Sequence, residues 1–184
     1  MLCSEILFNT LSTAISKKKV EELSQLAVSD RNLVEQFLTL SFHPKHEVAF
    51  RAAWIVENIY LASPLNFVSQ VNWFLTNLPN QNNTSARRNF AKILALITKK
   101  NAPKEIKEIV GSFKTDHLVE TVFAWLIDDE VAVAIKSHCL NILANLNTKH
   151  PWIKHELLQT MNFLVDKESI AFYAKAKQIR KQLK

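Results

Sequence analysis

The chain is expected to be all-α, built from helix pairs that repeat along its length, and three observations carry this. Apolar residues recur at three- and four-residue spacing through nearly the whole sequence, with no sustained alternation of the kind a strand needs. Among 184 residues there is one glycine, Gly111, and only five prolines. Sheets spend glycine on turns and bulges, and phosphate-cradling loops need it for close backbone approach. Third, the periodic segments resemble one another at a fixed interval. With 48% hydrophobic residues, the chain has enough apolar material for a folded core and is no candidate for disorder.

The spacing predicts helices over 4–17, 20–28, 31–41, 47–61, 65–77, 84–98, 103–111, 116–127, 130–146, 151–165 and 168–182. Pro44, Pro64, Pro79, Pro103 and Pro151 fall between these segments or in first turns, where a missing N–H costs little. Thr84 and Asp129 stand where N-caps belong, with side-chain oxygens able to accept orphan backbone N–H groups. Asn80-Gln81-Asn82-Asn83 reads as a polar loop. Lys17-Lys18-Lys19 reads as the end of the first helix, since cations favour a helix C-terminus.

The repeat is anchored by Glu47-Val48-Ala49, which recurs as Glu130-Val131-Ala132, and by Thr84. Aligning the helices on these starts gives core positions Ala52, Phe90, Ile135 and Phe172, then Val56, Leu94, Cys139 and Ala176. The third position is isoleucine throughout: Ile59, Ile97, Ile142 and Ile179. The offsets are 38, 45 and 37 residues, and a shift of one helical turn would keep the same apolar face. Each of these helices is preceded by an amphipathic partner, carrying Val34 and Phe37, Val71 and Phe74, Val122 and Leu126, or Leu157 and Met161. No such pair buries its stripe alone, whereas stacked neighbours share a continuous core. The longest interval contains "PKEIKEIVGSF", a short helix expected to interrupt the stacking.

A unit of about 40 residues made of helix, turn and helix lies in the HEAT/armadillo range. "HPKHEVAFRAAWIVENI" and "DDEVAVAIKSHCLNILANL" resemble second helices of HEAT repeats, with Val at the start, small residues in the middle and, in the first, the family's Arg at Arg51. The resemblance covers residues 31–184. It implies a right-handed α-α superhelix of about four HEAT-like pairs, with residues 1–30 as an N-terminal helical cap and 1–184 as a single domain. It also implies a scaffold or binding module rather than an enzyme.

In such solenoids the second helices line the ligand-facing concave side. Opposite their core stripe lie Arg51, Trp54 and Asn58, then Arg88 and Lys92, then Ser137 and Asn141, then Gln178, with Lys136 at the border. A Trp among cations suits an acidic or helical surface of another protein, or a nucleic-acid backbone. The bland reading is a solvated helix face with Trp54 resting on its neighbour. A net charge of +6 permits an anionic partner without requiring one.

DNA-alkylation-repair glycosylases are also HEAT-like, and they set an acidic residue in an aromatic-lined cleft. Trp125 and Asp129, four apart, are the matching candidates, although an acidic first turn accounts equally well for Asp128-Asp129-Glu130. No metal or cofactor is implied. His43, His46, His150 and His155 read as surface residues at turns, without zinc-site spacing. Cys3 and Cys139 make no disulfide framework and fit a reducing compartment, Cys139 as a core residue. The N-terminus has its basic run after its apolar part, the wrong order for a signal peptide, and no apolar run approaches about 18 residues. A soluble, cytoplasmic protein is expected.

Overall fold

The computed structural model describes residues 4–184, in which all regular structure is helical. Cys3 lies outside the described residues. The chain forms two compact units, dividing between Ile93 and Leu94.

In the first unit, α1 (Ser4–Ser12), α2 (Lys17–Val28) and α3 (Arg31–Leu40) all pack against α4 (His46–Ala62). The four turns of α4 alternate branched residues with alanines. Val48, Ala52, Val56 and Ile59 are fully buried, as are Ala49 and Ala53. Alanine at these positions lets neighbouring backbones come close on two sides of the helix, which a helix with one apolar stripe could not use.

Beyond α4, a 3-10 segment (Pro64–Gln70) leads into α5 (Val71–Asn77), so the single helix expected over 65–77 is broken in two. The apolar side survives the change of winding, because Phe67 and Phe74 still meet edge to face at 5.8 Å. Phe74 then stacks on Phe90 of α6 (Thr84–Ile97) at 5.0 Å, which closes the second helix pair. Phe42 in the turn after α3 also meets Phe90, at 5.4 Å.

The second unit contains α7 (Lys104–Ser112), α8 (Asp116–Ile127), α9 (Val133–Leu146), α10 (Ile153–Val165) and α11 (Ile170–Gln182). Here α9 plays the part of α4: α8, α10 and α11 pack on it, and Ile135, Cys139, Leu140, Ile142 and Leu143 are buried. All twelve aligned repeat positions are buried, the four isoleucines completely.

Several helix ends differ from expectation, each for a local reason. Lys17, Lys18 and Lys19 open α2 rather than close α1. Ser16 caps that helix by accepting from the Lys19 N–H at 3.2 Å, and α1 has already stopped in the Ser/Thr-rich stretch before it. Thr84 is the first residue of α6, and the capping oxygen is Asn83 Oδ1, 2.9 Å from the Ala86 N–H. Asp129 caps nothing. Asp128 Oδ1 accepts from the Glu130 N–H at 2.9 Å, a turn that delays α9 to Val133, with Ala132 before it. Glu47-Val48-Ala49 is therefore helical while Glu130-Val131-Ala132 is not, although Val131 is still buried.

The candidate binding face and its polar neighbours

Helices α4 and α6 carry the residues predicted to meet a partner in the first unit. Trp54, half-buried, stacks on Phe50 one turn earlier, with ring centroids 6.2 Å apart and planes 15° from parallel. The Asn58 amide donates to the Trp54 carbonyl at 2.8 Å, which holds it against its own helix. Arg88 is exposed on α6, one turn before Lys92.

The other predicted cations are engaged by the protein itself. Arg51 Nη1 donates to the Leu11 carbonyl at 2.7 Å. That carbonyl is one of the orphan acceptors at the end of α1, so Arg51 acts as a cationic cap between helices distant in sequence. Lys92 Nζ lies 2.5 Å from Glu57 Oε1, and Glu57 is only 8% exposed. The Asn89 amide, oriented to donate, reaches the second Glu57 oxygen at 2.8 Å. A carboxylate at this depth needs both contacts, since an unpaired buried charge is strongly unfavourable. Glu57 and Asn89 were not singled out in the sequence. Their helical positions border the apolar stripe, which is the signal that could have found them.

In the second unit, Lys136 is not on an open face. It is 1% exposed and paired with Glu168, just before α11. The expectation placed it at the border of a binding surface; the turn before α11, which carries Glu168, meets it instead. Asn141 donates to the Ser137 carbonyl at 3.1 Å, the same self-contact as Asn58. Trp125 is core, at 6% exposure, whereas Asp129 is exposed in the turn after α8. An aromatic wall for a damaged base has to be accessible, and Trp125 is not.

The histidines divide. His43 Nδ1 accepts from the Lys45 N–H at 3.0 Å and shapes the turn into α4. His150 is largely covered, and its Nε2 lies 2.7 Å from the buried Thr115 hydroxyl, so it joins the start of α8 to the turn before α10. Among the described residues, no group of three or more His, Cys, Asp or Glu could hold a metal ion. No helix among them is long and apolar enough to cross a membrane.

Paired amphipathic helices, sharing cores through aligned stripes, define a helical-repeat protein. The family model of the HEAT repeat domain matches residues 7–183, and the chain belongs to this family. Comparison with curated proteins found no match, and neither did comparison with solved structures. A HEAT repeat domain is a helical-repeat scaffold or protein-interaction module.

Proposed function

We propose that this HEAT repeat domain is a non-catalytic binding module that holds another protein on the α4/α6 face of its first unit. The observation that carries the reading is the combination of a half-buried Phe50–Trp54 stack and an exposed Arg88, none of which the core or the helix caps require. Aromatic and arginine side chains dominate the energetics of protein interfaces, and a stacked pair presents its area with little further entropy to lose. The Glu57–Lys92–Asn89 network beside them fixes α4 against α6, which supports a preorganised surface. The partner suited to Arg88 is an acidic or helical protein surface.

Affinity capture from the native host tests this. A partner retained by the wild-type chain is expected to be lost with Trp54→Ala and reduced at least about tenfold with Arg88→Glu. Retention by both variants would remove the face from consideration. Retention of duplex DNA in place of protein, falling steeply with salt, would turn the reading toward nucleic acid.

A further inference from the structure

The second unit contains a cleft of about 580 Å³ at the C-terminal ends of α6, α9 and α11, beside α7. Its floor is apolar, formed by Val110, Ala144, Leu146 and Leu183, all only slightly exposed. Its rim carries Lys99, Lys100 and Lys107, and among the described residues no carboxylate lines it. From these features we infer that the cleft is a docking site for an acidic peptide segment of a partner protein, one apolar side chain seated on the floor and flanking carboxylates on the lysines.

Helix ends explain part of the lysine content, since cations favour the C-terminus of α6, where Lys99 and Lys100 follow. They do not explain Lys107, which lies inside α7 and reaches the Lys100 carbonyl at 3.5 Å. Lys149 also lines the cleft and adds a further cation, held in place by the end of α7. Its ammonium donates to the carbonyls of Val110 at 3.2 Å, Gly111 at 2.9 Å and Phe113. The apolar floor favours a peptide over a nucleic-acid strand, because a sugar-phosphate backbone has nothing to place on it.

This site is distinct from the α4/α6 face and is tested separately. A fluorescein-labelled peptide, Asp-Glu-Leu-Phe-Glu-Asp, is titrated with the full chain at low salt and followed by anisotropy. Saturable binding is expected, weakened about tenfold by Lys99→Glu and by Lys107→Glu. Replacing Leu-Phe in the peptide by Ser-Ser should weaken it similarly, and Arg88→Glu should leave it unchanged. The milder Lys107→Gln, with helix content checked by circular dichroism, keeps the result interpretable if a charge reversal disturbs α7. Absence of saturation, or indifference to the lysine changes, would overturn the inference. So would equal affinity for the Ser-Ser peptide or for an oligothymidylate of the same charge, the latter marking a phosphate site instead.

Discussion

Lys136 reaches Glu168 from a position almost sealed from solvent, and the two charges depend on each other. Removing one partner leaves the other buried and uncompensated, which costs more than the pair itself contributes. Glu168→Gln should therefore destabilise the protein by about 3 kcal/mol in urea unfolding. Lys136→Met combined with Glu168→Leu should recover most of that loss, and a fully additive double variant would contradict the coupling. The contrast with Arg88 is instructive. Both are cations in second helices, and periodicity alone put Arg88 on the ligand-facing side and Lys136 at its border. Spacing along a helix says which side a residue faces but not what will fold over it. Lys136 was misplaced because its cover comes from the turn before α11, more than thirty residues away. Arg51 and Lys92 show the same blindness, since their partners are the Leu11 carbonyl and the Glu57 carboxylate. The apolar residues had no such ambiguity. Ile59, Ile97, Ile142 and Ile179 could be assigned to the core from the repeat alone, because burial of a branched apolar side chain needs no specific partner.

At the scale of elements, helix existence was legible and helix ends were not. Periodicity separates the eleven α-helices among the described residues, but not the end of α1, the starts of α2 and α9, or the break before α5. Ends are decided by single side-chain-to-backbone contacts, and here Ser16, Asn83 and Asp128 made the decisive ones. The loop Asn80–Asn83 is a further case, read as plain polar linker. Gln81 is in fact buried and donates to the Ser41 carbonyl at 3.0 Å, while Asn83 donates to the His46 carbonyl at 2.9 Å, so the loop ties the first helix pair to the second. The most exposed dependence of this type is α7. It is a nine-residue helix whose terminal carbonyls converge on one ammonium. Helices this short are marginal without tertiary support. Lys149→Ala should speed hydrogen exchange of amides in residues 104–112 by about tenfold while leaving α8 at its wild-type rate. Unchanged exchange in α7 would show that the Ile106 and Val110 contacts hold it unaided.

For the molecule as a whole, each compact unit is organised around one long helix buried on more than one side, α4 in the first and α9 in the second. This arrangement sets apolar residues against neighbouring helices and leaves polar helix faces as surface available for recognition. The Phe50–Trp54 stack with Arg88 is a part of that surface which neither the core nor the caps explain. Its assignment as the partner-binding face is the central claim, and contact has to be measured at the face itself. A photo-crosslinking residue, benzoylphenylalanine, in place of Arg88 on α6 should join covalently to the captured partner on irradiation. The same residue in place of the exposed Gln25 on α2 should not. A partner that crosslinks from position 25 and not from position 88 would contradict the account.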